Sequence, residues 1–226
     1  MPTRWVVKLG GSLHDSDHLP RWLDALADSG AVLVPGGGPF ADAVRSAQAR
    51  WGFGDSAAHR MAILAMRQYG LMLQDLNPEF AACGDIEGLT ALMATGRTTI
   101  WLPDPDTLPT REVPATWEVT SDSLAAWLAR KIGADHLLLV KSAVLPEGEF
   151  SAGHAVAQGW IDSAFPTFLA QGGFEASLCG RNDHSRLREG LREPHAAFTR
   201  IVPGTGPVFS ESNSHDDQSP LFREPA

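Results

Sequence analysis

The chain has 226 residues, 43% of them hydrophobic, which is enough to bury one substantial core. Its 27 acidic and 18 basic side chains give a formal charge of -9, a field that repels nucleic acid and anionic membrane; any anion site must therefore be a local feature. Cys83 and Cys179 have no metal-ligand spacing and read as free thiols of a reducing compartment.

Met1-Pro2-Thr3-Arg4 runs straight into a strand-like Trp5-Val6-Val7-Lys8-Leu9, too short for the apolar part of a signal peptide. No apolar run approaches a membrane span, so a cytoplasmic, soluble protein is expected. The pattern predicts a strand over 4–9 and a helix over 16–29, with Leu19, Leu23 and Leu26 on one face and Gly30 at its end. Ala31-Val32-Leu33-Val34 gives a second strand. Two helices follow, over 39–51 and 55–75, separated by Gly52-Phe53-Gly54. The second is apolar all round, from Ala57 and Met61 through Leu64 to Leu71 and Met72, and so is either central or covered by another subunit. A homodimer or higher homo-oligomer is expected.

Further along, 85–95 predicts a helix and 98–102 a strand. The Pro-rich stretch 103–116 reads as a surface loop or lid. A helix fits 121–132, an apolar strand 136–141, a helix 161–170, and shorter elements the region to 202. From Ser210 the composition turns polar, as in a mobile tail, with Leu221-Phe222 a candidate terminal anchor. Short apolar runs alternating with amphipathic stretches are the pattern of an α/β sheet with crossover helices.

Several segments carry chemistry. Lys8-Leu9-Gly10-Gly11-Ser12 ends the first strand with a cation, two glycines and a hydroxyl. Glycines let backbone N–H groups approach an oxyanion, and the carboxyl ends of parallel strands are where ligands of open α/β sheets sit. The lysine precedes the glycines, so this is not a Walker A loop. The plainer reading is a strand-to-helix turn with a lysine reaching water. Pro35-Gly36-Gly37-Gly38-Pro39 again lies between a strand and a helix, where a backbone nest favours phosphate. A generic turn is the alternative, but three consecutive glycines are entropically expensive for one.

Thr120-Ser121-Asp122-Ser123 opens a helix, and helix capping alone would account for it. A carboxylate here would also be able to hold Lys8 by an ion pair and organise the magnesium–phosphate end of a site. Finally, Leu137-Leu138-Leu139-Val140-Lys141-Ser142 delivers a second lysine at the end of an apolar strand. Lys8, Lys131 and Lys141 are the lysines of the whole chain, so two of three occupy the same topological position.

Together these segments resemble the amino acid kinase superfamily of carbamate, aspartate, acetylglutamate, uridylate and isopentenyl phosphate kinases, over residues 5 to about 205. The resemblance implies an α/β fold with an open, mainly parallel sheet sandwiched between helices. It implies one kinase-like domain over 1–209, with the acceptor side about 1–115 and the nucleotide side about 116–209, and a tail over 210–226. The implied activity is ATP-dependent phosphoryl transfer to a small anionic metabolite. The implied cofactors are ATP and Mg2+, the metal arriving on the ATP phosphates rather than on protein ligands. The resemblance makes Lys8 the stabiliser of the transferred phosphoryl group and Asp122 the residue that orients the lysines. Gly10, Gly11, Ser12, Gly36, Gly37 and Gly38 would cradle phosphate, and Lys141 and Ser142 would contact the nucleotide.

Two departures stand out. Many relatives carry a Thr-Asp-Val-Asp-Gly-like segment where this chain has Lys141-Ser142-Ala143-Val144-Leu145, and many have a late lysine where none follows Lys141. Lys141, Arg181, Arg186 or Arg188 would have to replace it. The segment from Asp55 to Gly70 is similar to a narrower branch, which phosphorylates [5-(aminomethyl)furan-3-yl]methyl phosphate to its diphosphate on the route to methanofuran. In that reading His59 and Arg60 recognise the substrate phosphate; a helix-surface His-Arg pair is the structural alternative. Other acceptors of the superfamily, uridylate or isopentenyl phosphate, remain open, as does a non-catalytic binding or storage protein with this fold.

Overall fold

Val6, Val7, Leu9 and Leu137 to Val140 are wholly removed from solvent in the computed structural model, which describes residues 3–204. The polar tail expected from Ser210 lies outside the described residues. Such continuous apolar runs belong to strands covered on both faces. They form β1 (Trp5–Leu9) and β5 (His136–Lys141), neighbours at the centre of one sheet.

In chain order, β1 leads through a 3-10 turn (Gly11–Leu13) to α1 (His18–Leu26), β2 (Val32–Pro35), α2 (Gly38–Trp51) and α3 (Asp55–Leu76). Next come β3 (Ala81–Cys83), α4 (Ile86–Met93), β4 (Thr99–Trp101), α5 (Ser121–Ile132) and β5. The last stretch holds β6 (Glu149–Ser151), α6 (Ala152–Ala157), α7 (Phe165–Ala170), β7 (Glu175–Gly180), α8 (Leu187–Gly190), α9 (Pro194–Ala197) and β8 (Thr199–Val202). The eight strands lie in the order β3-β4-β2-β1-β5-β7-β8-β6. All neighbours are parallel except β7 and β8. This is the expected mainly parallel sheet with helices on both faces.

Strand alternation divides the core. Val6, Val34, Leu137 and Leu139 pack on one face with Leu124, Trp127 and Leu128 of α5. Val7, Leu9, Leu138 and Val140 pack on the other with Leu19, Trp22, Leu23 and Leu26 of α1. Because side chains two apart share a face, Lys8 follows Val6, and Lys141 follows Leu139, onto the α5 side. Lys8 pairs in register with Leu139, so the two lysines lie one pleat apart on adjacent strands.

Boundaries moved where end signals were weak. The first helix is shorter than 16–29, and the helix expected over 161–170 begins only at Phe165. β7 and β8 fall among the shorter elements expected up to 202, whereas β3 and β6, of three residues each, were not expected. The α2–α3 break is where the sequence put it: Gly52 takes φ 67° and its N–H donates to the Gln48 carbonyl at 2.8 Å.

The segment 103–116 is a surface loop tied to the body. Leu108 and Val113 are buried. Glu112 accepts from Trp127 Nε1 at 2.9 Å and pairs with Arg130 and Lys131 of α5 at 2.9 and 2.8 Å. α3 buries His59, Ile63, Met66, Tyr69 and Leu73, but leaves Met61, Leu64 and Leu71 exposed by 39, 44 and 49%.

Candidate functional site

Strand order reverses about β1: β2 and β4 lie on one side of it, β5 and β7 on the other. The crevice outside the carboxyl ends of strands at such a switch point is the ligand position of open α/β sheets. Lys8 lies on β1 with Gly10 and Gly11 just after it, Gly37 and Gly38 follow β2, and Lys141 ends β5 with Ser142 next; all line a cleft of about 380 Å3 there.

Asp122, in the first turn of α5, links the two lysines. Lys8 Nζ is 2.9 Å from its Oδ1 and Lys141 Nζ 2.5 Å from its Oδ2. Lys8 and Asp122 are 6% and 4% exposed. Burial alone would raise the Asp122 carboxyl, but Lys141 and then Lys8 outweigh it and hold the group below its ordinary value. Burial pushes Lys141 down from 10.5 to about 8, with Asp122 opposing and Lys8 adding to the shift. A slightly deprotonatable cation thus sits beside a fixed carboxylate and a second cation.

Capping does not account for Asp122. Thr120 is the N-cap of α5, as expected, its hydroxyl accepting from the Asp122 N–H, and Asp162 braces the same turn, accepting from the Thr120 N–H and hydroxyl at 2.9 and 2.7 Å and from the Ser123 N–H at 3.1 Å. Asp162 also accepts from the Phe165 N–H at 2.8 Å, so one carboxylate fixes both α5 and α7. That frees the Asp122 side chain for the lysines. Asp162 was not singled out in sequence, since its partner Thr120 is 42 residues away.

The glycine loops pack backbone against backbone. A Cβ on Gly36 would lie 2.3 Å from the Gly11 nitrogen, and one on Gly11 would lie 2.2 Å from the Gly38 nitrogen. Gly38 also takes φ +53°, which side-chain-bearing residues rarely adopt. Gly36 serves this packing rather than the cleft wall, whereas Ser12 lines the cleft and is exposed.

His59 and Arg60 part company. His59 is 5% exposed, lines the cleft, and its Nε2 has no hydrogen-bond partner among the described residues. Burial pushes its imidazole below the ordinary value, with the Val119 backbone opposing. Arg60 does not line the cleft; it pairs with Asp106 of the Pro-rich loop at 2.5 Å. Asp42, Arg45, Trp117 and Trp160 also line the cleft and were not singled out beforehand. A signal existed for Asp42 and Arg45, which lie in the first turns of the helix that follows the triple glycine.

A second cleft of about 520 Å3 lies beyond β5, lined by Gly180, Arg181, Asn182, Asp183, Arg186 and Phe198 among others. Ala143, directly after Lys141-Ser142, borders both clefts. Of the arginines considered as replacements for a late lysine, Arg181 and Arg186 reach this second cleft and Arg188 does not. Among the described residues no group of three or more His, Cys, Asp or Glu is arranged to hold a metal ion.

The Amino acid kinase family pattern matches residues 3–143. The chain belongs to the amino acid kinase family. A [5-(aminomethyl)furan-3-yl]methyl phosphate kinase of Methanocaldococcus jannaschii is 25% identical over 210 residues, covering 87% of this kinase and 97% of the relative. Uridylate kinase from Archaeoglobus fulgidus superposes with a TM-score of 0.67 at 17% identity, over 88% of this chain and 99% of its own. UMP kinase from Bacillus anthracis gives 0.69 at 16% identity, over 92% and 99%. These structural likenesses establish the shared fold. The family match and the kinase-named relative make the chain a small-metabolite kinase of the family.

Proposed function

We propose that this kinase transfers the γ-phosphoryl group of Mg-ATP to the phosphate of [5-(aminomethyl)furan-3-yl]methyl phosphate, giving the diphosphate and ADP. The observation that carries the transfer is the Lys8–Asp122–Lys141 linkage at the first cleft, with Lys141 two residues before Ala143, which borders both clefts. The acceptor follows from the 25% identical relative, whose coverage is nearly end to end.

The first cleft holds the acceptor and the second the nucleotide, with the Lys141-Ser142-Ala143 ridge between them. An acceptor phosphate oxygen attacks the γ-phosphorus in line as the bond from that phosphorus to the β,γ-bridging oxygen breaks, and ADP carries away the electron pair. An acceptor oxygen that is already anionic has no proton to lose, so no general base is needed. Catalysis is then positioning and charge neutralisation. Lys8 faces the transferred group, and the N–H groups of Gly10, Gly11, Gly37 and Gly38 donate to its oxygens. Lys141 and Ser142 contact the nucleotide phosphates, with Arg181 and Arg186 supplying the charge that a late lysine gives elsewhere. Asp122 fixes both lysines, and His59, buried with its Nε2 unpartnered among the described residues, contacts the acceptor phosphate, donating to it once protonated; Arg60, tied to Asp106, supports the same wall from outside. Magnesium enters as part of the substrate, since both Asp122 oxygens are already taken by lysines.

The exposed row Met61, Leu64 and Leu71 on α3 supports the homodimer expected from the sequence. The free Cys83 and Cys179, and the absence among the described residues of a helix long and apolar enough to cross a membrane, agree with a cytoplasmic setting.

The test is ADP release from Mg-ATP with three acceptors: the aminomethylfuran phosphate, uridylate and isopentenyl phosphate. Turnover confined to the first supports the reading. Turnover confined to either other acceptor replaces it, and nucleotide binding with no turnover points to a binding role.

A further inference from the structure

Charge is distributed unevenly along the first cleft. Its floor carries Lys8, Lys141 and the glycine N–H groups, all suited to phosphate. Its α2 wall carries Asp42, the one acidic side chain lining the cleft among the described residues. Asp42 is exposed and neutralised in part by Arg45, so it repels an anion little and remains available to a cationic part of a ligand.

Arg45, beside Asp42, is already engaged. Its Nη1 pairs with Asp42 Oδ1 at 2.8 Å, and its guanidinium lies 4.7 Å from the centroid of the Trp117 ring. Asp42 Oδ2 accepts no hydrogen bond from the protein among the described residues. Trp117 is itself held, its Nε1 donating to Gln48 Oε1 at 2.6 Å, so a flat aromatic wall stands beside the carboxylate. The buried, unpartnered His59 Nε2 lines the same cleft and calls independently for a polar ligand there.

We propose that Asp42 selects an acceptor bearing a primary ammonium at the end remote from its phosphate, with Trp117 forming the wall for a flat ring between them. The assignment rests on the aminomethylfuran phosphate reading above. It adds the residue that would distinguish this acceptor from anionic ones of similar size. An ammonium donates a charge-assisted hydrogen bond to a carboxylate, and the Asp42 Oδ2 not used by Arg45 is the atom that would accept it. An acceptor with no cation gains nothing from Asp42.

The experiment compares kcat/KM for [5-(aminomethyl)furan-3-yl]methyl phosphate and for the analogue with methyl in place of aminomethyl. It uses the wild type, Asp42→Asn and Asp42→Glu, with thermal melting as the folding control. The wild type should prefer the amine, Asp42→Asn should lower that preference by about tenfold, and Asp42→Glu should retain most of it. Wild-type turnover of both acceptors with an unchanged preference in Asp42→Asn overturns the Asp42 assignment alone. Wild-type turnover of neither overturns the furan reading and this assignment with it.

Discussion

Lys8 and Lys141 reach the same carboxylate from adjacent strands, Lys8 at 2.9 Å from one oxygen of Asp122 and Lys141 at 2.5 Å from the other. Without Asp122 the two lysines could not share this position, because two ammonium groups this close repel. Asp122 converts that repulsion into a rigid array with one net positive charge, open towards the cleft.

Replacing Lys8 by Ala removes the cation assigned to the transferred phosphoryl group while Lys141 keeps Asp122 paired. The expected result is a kcat lower by about 100- to 1,000-fold, comparable to losing one preorganised donor to a developing charge. ADP release under saturating substrates measures it, with circular dichroism to confirm the fold. Full activity would remove Lys8 from the chemistry.

Asp122→Asn leaves two ammonium groups facing a neutral amide, and breaking a buried pair in this way costs about 3–5 kcal/mol. Both melting temperature and kcat should fall. The same linkage sets an acid limit: the folded Asp122 carboxyl is held below its ordinary 3.8, so its contribution is present above that value and is lost as pH falls below it. Asp162→Ala is the contrast, because it removes the carboxylate that braces Thr120 and Ser123 at the start of α5 while both lysines keep their pairs with Asp122. It should lower the melting temperature while leaving activity per folded molecule far less affected than Asp122→Asn does. Equal loss of activity in the two variants would return Asp122 to a purely structural role.

Lys141 gives the site a dependence on alkaline pH. With its amine at about 8 in the free protein, its charge declines as pH rises through that value, and kcat/KM for Mg-ATP should decline with it. Stability moves the other way: between about 8 and 10.5 the unfolded chain binds more protons at this position, so the Lys141 contribution to stability grows with pH. Lys141→Arg should abolish the alkaline limb. A limb that survives that substitution belongs to another group.

Gly36→Ala would place a methyl 2.3 Å from the Gly11 nitrogen. One of the two loops must move, and overpacking of this kind costs about 1–3 kcal/mol. Because the loop that moves carries the N–H groups facing the cleft, turnover should drop along with melting temperature. A fully active Gly36→Ala variant would show that the spacing of the loops is not needed for catalysis.

The exposed α3 row predicts that Leu64→Asp weakens self-association. Sedimentation equilibrium should show a dimer for the wild type and a shift to monomer for the variant. A wild-type monomer at high concentration would end the homodimer proposal.

Local sequence determined the ingredients of the site. Unbroken apolar runs announced strands buried on both faces, and a lysine or a glycine run closing each of β1, β2 and β5 marked their carboxyl ends as the business edge of a sheet. These signals are contiguous in the chain, and their physical meaning depends only on near neighbours. Short β3 and β6 were not legible, because three residues carry too little periodicity to stand out. What only the tertiary structure decided is which distant groups meet. Strand register and pleat alternation put Lys8 and Lys141 on the α5 face, and α5 returning across that face brought Asp122 between them. The bracing of α5 by Asp162, the diversion of Arg60 to Asp106, and the stacking of Arg45 on Trp117 all join residues far apart in sequence. Such contacts form when side chains from separate elements compete for the same space and charge, and that competition takes place only in the folded chain.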